Sequence, residues 1–276
     1  MSKIKKAYGY SRDRLIWRLI PANTDKLIIE ERDTSTKEVF FNCIDINSGK
    51  KIFYDFQLEE KYWAGIETIY NDVIIFHKYT SREMPEHDGM IAYDINSGKI
   101  LWENNDYVFL FIYEDKIYCY RNIFEGREFF TINLKTGIME ENLSDDASRI
   151  NSLRENSFNV LNTGNYLFPE YFYPESMRNT TLGEYFSEYR TENVIAGRIE
   201  YIKTEDMLLF SSHSVNSDGS LKNIFKAVEF TSKKVIFEEI LNQHTGTFIP
   251  DCFFIKDKFF FLLIEKTKLK VCSIKK

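Results

Sequence analysis

The chain has 276 residues, net charge −6 and 43% hydrophobic residues, enough to bury a full core in one or two domains. With 12 Gly and 5 Pro it lacks the composition of a disordered or linker-rich protein, and 24 Phe and 17 Tyr favour half-buried strands. Well-mixed charge with no basic stripe argues against a nucleic-acid partner, and no stretch is long and apolar enough for a membrane span.

The N-terminus, "MSKIKKAYGYSRDRLIW", has no apolar core of signal-peptide length, so a cytoplasmic location is expected. Its first strand, "KIKKAYGYS", opens like two later segments, "KKIFYDF" and "KILWENN". Further on, an acidic or amide turn residue repeatedly precedes an apolar run. These residues are Asp25, Asp72, Asp115, Asn165, Asp206 and Asp257, spaced 41–51 residues apart. Short polar side chains suit such turns because they tolerate left-handed backbone. A second repeat follows every turn but that of Asn165: "NCIDINSGKKIFYD" at 42–55 is nearly copied by "IAYDINSGKILWEN" at 91–104. Gly49, Gly98 and Gly137 stand where a tight turn between strands needs positive φ.

Six units of 40–50 residues, each a meander of four short strands, predict an all-β, six-bladed β-propeller forming a single domain over 1–276. The sixth unit has only three strands of its own, and the N-terminal strand is expected to complete it. The fourth unit departs from the rule. Two prolines interrupt "FPEYFYPESMRNTTLGEYFSEYRTEN" (168–193), and Leu182, Tyr185, Phe186 and Tyr189 fall at helical spacing, which predicts an irregular or partly helical blade.

The pattern Ala92-x-Asp94-x-x-x-Gly98-x-x-x-Trp102 resembles the tryptophan-docking motif of quinoprotein-type β-propellers, and the chain also resembles uncharacterised bacterial propeller families. The resemblance implies that Trp102 packs between neighbouring blades, with Phe53 and Phe237 in partial copies, while Glu141 departs. Six units and the lack of a Cys-Cys pair do not carry the quinone-dependent activity across, and no cofactor or metal is expected. Cys43, Cys119, Cys252 and Cys272 are scattered in apolar runs and read as buried free thiols.

Candidate sites fall on the face with the longer loops, 32–38, 78–89, 121–128 and 212–220. Trp17, Trp63 and Tyr107 each precede their turn Asp by eight or nine residues and are candidate stacking platforms for a sugar, base or peptide side chain; packing between blades is the ordinary alternative. Glu83, Glu86, His87 and Asp88 form an acidic loop with one imidazole, and no second His stands at ligand spacing to it. Tyr171, Tyr173, Tyr185, Phe186 and Tyr189 are candidates for partner docking, with a decayed blade packing on itself as the alternative. No catalytic constellation stands out. The expected function is therefore non-catalytic binding or scaffolding of a protein, peptide or glycan; the alternatives are a hydrolase or lyase in a central channel, or a subunit of a larger assembly.

Overall fold

The computed structural model describes residues 3–81, 84–160, 166–175, 177 and 180–275. Strand β1 (Lys3–Ser11) opens the chain and joins the last sheet. Next come β2 (Leu15–Pro21), β3 (Lys26–Arg32), β4 (Val39–Asp45) and β5 (Lys51–Phe56), which form one four-stranded antiparallel meander. A second meander comprises β6 (Ala64–Tyr70), β7 (Val73–Ser81), β8 (Met84–Asp94) and β9 (Lys99–Asn104), and a third β10 (Val108–Tyr113), β11 (Lys116–Ile123), β12 (Gly126–Asn133) and β13 (Met139–Ser144). Helix α1 (Ala147–Val160) follows, then the two-residue strands β14 (Tyr166–Leu167) and β15 (Glu170–Tyr171) and helix α2 (Thr181–Glu192). The chain ends with β16 (Ile195–Lys203), β17 (Met207–Val215), β18 (Leu221–Glu229), β19 (Lys234–Thr245), β20 (Phe253–Lys256), β21 (Phe259–Ile264) and β22 (Lys268–Lys275).

Two compact units result: residues 14–164, and residues 1–13 with 165–276. In the first, the sheets stack face to face. Phe41 and Ile28 pack on Phe76 and Ile66 between the first two, and Ile75 and Ala92 on Ile117 and Cys119 between the second and third. Helix α1 covers the free face of the third sheet through Ile150 and Leu153. In the other unit, Leu209 and Phe225 pack on Phe253 and Phe260, joining the β15–β19 sheet to the last one, and α2 covers the remaining face of the β15–β19 sheet. All four cysteines are buried and free.

The turns behave as their residues dictate. Asp25, Asp72, Asp115 and Asp257 have φ between 52° and 64°, and Gly49, Gly98 and Gly137 lie at 67–69°. The carbonyls of Asp25, Asp72, Asp115 and Asp206 each accept the amide that follows the next-to-last strand of their sheet, from Ile46, Ile95, Leu134 and Phe230 at 2.9–3.3 Å. Asp72 also accepts from Thr24, from Lys26 at 2.7 Å and from Asn96 at 2.9 Å.

The N-terminal strand completes the last sheet as expected, with Ile4 opposite Ile274 and Ser11 opposite Lys268. The six units of the repeat do not become six sheets: among the described residues there are five, three of four strands and two of five. Pro169 and Pro174 cannot donate to a ladder, so the fourth unit yields only β14, added beside β20, and β15, added beside β16. Its turn residue, Asn165, lies outside the described residues. The helical spacing noted in 182–189 becomes α2, whose N-cap Thr180 accepts the Gly183 amide at 3.0 Å. Helix α1 was not expected; its first turn is capped by Asp146, which accepts from the Arg149 amide at 2.9 Å.

The docking tryptophan is seated between sheets. Trp102 Nε1 donates to the Leu134 carbonyl at 2.9 Å, and its ring lies where a Cβ on Gly137 would be, 2.6 Å from Cδ2. Phe53 meets Tyr93 of the next sheet at 5.6 Å, and Phe237 meets Phe260 at 5.4 Å.

Candidate functional site

Trp17 and Trp63 come together in an open cleft of about 740 Å³, with Leu15, Arg32, Tyr62, Tyr79 and the loop 33–37. Strand β2 carries a bulge: Ile16 pairs with Glu31 and Arg18 with Glu30, leaving Trp17 unpaired between them. The extra residue turns outward, so Ile16 is 1% exposed and Trp17 58%. Glu60 fixes the rim by accepting the amides of Tyr62 and Trp63 at 2.8 and 3.0 Å. The Trp63 carbonyl in turn accepts the Tyr79 amide at 3.1 Å, and the two rings meet edge to face at 6.4 Å. In the loop wall, Asp33 accepts from the Ser35 hydroxyl and from the amides of Thr36 and Ser35; these hydrogen bonds hold its carboxyl down to about 2.

Beneath the cleft lies a buried ionic network. Glu30, fully buried, accepts from Arg18 Nε and Nη2 at 2.9 and 2.7 Å and from Arg32 Nη2 at 2.8 Å. The same guanidiniums reach the neighbouring sheet: Arg18 donates to the Ile66 carbonyl at 2.9 Å, and Arg32 to the Tyr62 and Ala64 carbonyls at 3.2 Å. A charge buried this way is tolerated because every oxygen faces a fixed donor.

The expected loop 78–89 is instead largely strand, the hairpin of β7 and β8, which carries Glu86, His87 and Asp88; Glu83 lies outside the described residues. Gly89, at φ 62°, forms a bulge where a side chain would approach the Asn104 carbonyl to 3.0 Å. With Tyr79 opposite His87, residue 77 falls on the same face. The imidazole of His87 accordingly lies flat on that of His77, ring centroids 3.6 Å apart and 9° from parallel. His87 thus has the partner histidine that linear spacing did not show. Both present Nδ1 to Glu67 Oε1, His77 at 3.1 Å and His87 at 2.6 Å. Glu67 is itself the unpaired residue of a bulge in β6, between Ile66 and Thr68. Burial pushes its carboxyl upward, but the two imidazoles outweigh that and leave it below the usual range. Tyr79 stands edge-on to both rings, at 5.0 and 5.3 Å, so this group adjoins the aromatic cleft.

The other candidates lie elsewhere. Tyr107 does not join the cleft: it packs on Phe130 at 4.7 Å between the second and third sheets. Phe186 and Tyr189 are 0% and 8% exposed on the buried face of α2, with Tyr185 packed against the same cluster, so these rings contribute to the core. Tyr171 and Tyr173 are exposed beside Arg198. Tyr171 borders a smaller recess of about 370 Å³ with Arg198, Glu200, His213 and Phe248. Burial raises the Glu200 carboxyl and lowers the His213 imidazole. Both are already engaged: Glu200 accepts from the Asp251 amide and the Ser211 hydroxyl, and His213 Nε2 from the Ile249 amide.

Residues 20–102, less than a third of the chain, match the family described as Domain of unknown function (DUF4905). No curated protein matches the chain. Among solved structures it is similar to an uncharacterised protein from Listeria monocytogenes EGD-e, with 9% identity, TM-score 0.35, and 91% of this chain and 62% of that one covered. The present chain thus spans less than two thirds of that neighbour's length. It is also similar to a member of the duf4221 family from Bacteroides vulgatus, with 7% identity, TM-score 0.23, and 99% and 98% covered. No helix among the described residues is long and apolar enough to cross a membrane.

Proposed function

We propose that the protein is a non-catalytic binding scaffold of the β-propeller type, with its sheets as blades and the aromatic cleft as its ligand site. The seating of Trp102 on Gly137 supports a kinship with tryptophan-docking propellers, in which one of six repeat units has been reduced to edge strands and a helix. The observation that carries the functional reading is the convergence of Trp17 and Trp63, 58% and 39% exposed, with Tyr62 and Tyr79 on one cleft. Large aromatic faces left in water are costly unless a ligand covers them, and they suit the flat apolar face of a sugar ring or a proline or aromatic side chain. Binding is favoured over turnover because nearby charged groups are committed: Arg32 to Glu30 and two carbonyls, Glu60 to two amides, Asp33 to its own loop. The ligand is an oligosaccharide or an extended peptide.

Tryptophan fluorescence tests this directly, because Trp102 is seated in the core and Trp17 and Trp63 are not. Titration with soluble oligosaccharides and with proline- and aromatic-containing peptides should give a saturable blue shift for one class. Trp17→Ala or Trp63→Ala should weaken that binding by about 1–3 kcal/mol while leaving the melting temperature nearly unchanged. Saturable binding that both variants leave intact would remove the cleft from the function.

A further inference from the structure

We propose that Glu67, His77 and His87 form a binding site for one divalent transition-metal ion of the zinc class, built across three adjacent strands. The inference is independent of what the aromatic cleft takes. Three observations carry it. First, one donor atom from each residue lies within 4.8 Å of the other two. An ordinary histidine–carboxylate pair needs one imidazole; here two turn the same Nδ1 edge to one oxygen. Second, His77 is only 2% exposed, yet neither ring nitrogen makes a hydrogen bond of good geometry among the described residues, its Nδ1 meeting Glu67 only in the 3.1 Å contact. A buried imidazole left in this state is unfavourable, and an ion on Nδ1 supplies the missing partner. Third, the backbone makes room for the group. A Cβ on Gly65 would meet His77 Nε2 at 2.8 Å and Cε1 at 2.9 Å, so the glycine leaves space that the ring fills. The Glu67 bulge brings its carboxylate to the same point.

Two imidazole nitrogens and one carboxylate oxygen suit Zn²⁺, Co²⁺, Ni²⁺ or Cu²⁺ and not Mg²⁺ or Ca²⁺, which take all-oxygen shells. Three protein ligands leave a tetrahedral position for water or a ligand atom. The His87 side chain, 37% exposed, marks the side from which an ion enters; those of Glu67 and His77 are 13% and 3% exposed. Seating the ion requires the stacked rings to tilt apart from 9°, a side-chain rotation with the strands in place.

The test is isothermal titration of the chelator-treated full chain with Zn²⁺ and, separately, with Co²⁺, read also by visible absorption. One ion per chain should bind saturably. His87→Ala and Glu67→Gln, each confirmed folded by circular dichroism, should weaken binding at least tenfold. His244→Ala, at the exposed His244–Asp218 pair, should leave it unchanged. In the wild-type protein, Zn²⁺ should shift the imidazole resonances of His77 and His87 and not those of His213, a readout that needs no variant. Absence of saturable binding, equal affinity in His87→Ala and Glu67→Gln, or zinc-induced shifts confined to other histidines would overturn the proposal.

Discussion

If the Trp102 indole is the wedge between the second and third sheets, its contact with Gly137 should show as a coupling and not merely as two separate losses. Trp102→Ala removes a partly buried indole and its hydrogen bond to Leu134. A fully buried Trp→Ala costs about 3–5 kcal/mol, so partial burial suggests about 2–4 kcal/mol. Gly137→Ala places a Cβ in left-handed backbone at φ 67°, about 1–2 kcal/mol. The same Cβ would sit 2.6 Å from Cδ2, and this overlap adds about 1–3 kcal/mol of repacking. In the double variant the ring is gone and only the backbone term of Gly137→Ala should remain. The pair should therefore be less destabilised than the sum of the singles by about 1–3 kcal/mol. Urea unfolding of the four proteins, followed by far-ultraviolet circular dichroism, measures this cycle. Additivity within about 0.5 kcal/mol would mean that the two residues do not meet, and the wedge reading would fail.

Glu30→Gln should destabilise the fold by about 1.5–3 kcal/mol in thermal or urea unfolding, because it replaces a buried carboxylate that accepts from two partly exposed guanidiniums with a neutral amide; a loss near zero would show that the network is not a strut between sheets. Asp72 is pushed upward by burial, but Lys26, Thr24 and Asn96 more than offset this and hold it below the usual carboxylate range. Its contribution is thus present above the unfolded value of about 4 and lost as pH falls through the lower folded value. Asp72→Asn should cost about 1.5–3 kcal/mol at pH 7, with the gap to wild type narrowing below about pH 4; a gap of constant size would contradict the assignment. Phe186→Ala should cost about 3–5 kcal/mol and open 168–193 to limited proteolysis, since the ring is fully buried beneath α2. A surface docking residue would give neither effect.

The sequence showed what local chemistry dictates. Turn aspartates and glycines announced their positive φ, the missing strand of the last sheet was traced to the N-terminus, and the seat of Trp102 between sheets was expected from a resemblance and not from local chemistry. The helical spacing of Leu182, Tyr185, Phe186 and Tyr189 was visible too, and the apolar stripe it marks is the face that packs on the sheet. Register was not visible. Trp17 and Glu67 face where they do because each is the extra residue of a bulge, and composition does not reveal a one-residue slip. For the same reason His77 and His87, ten positions apart, gave no sign that their rings stack across a bulged hairpin. Tyr62 and Tyr79 joined the cleft unannounced, since neither follows the phase that marked Trp17 and Trp63.

The partnership of β1 with β22 also shapes how the protein is made. Ser11 donates its hydroxyl to the Thr267 carbonyl, a partner 256 positions along the chain. A ribosome must therefore release the chain as far as β22 before β1 finds its sheet. Until then β1 waits as an unpaired edge that invites a neighbouring nascent chain. Lysines stand at positions 5 and 6 of that strand, and charge on an edge disfavours pairing with another chain.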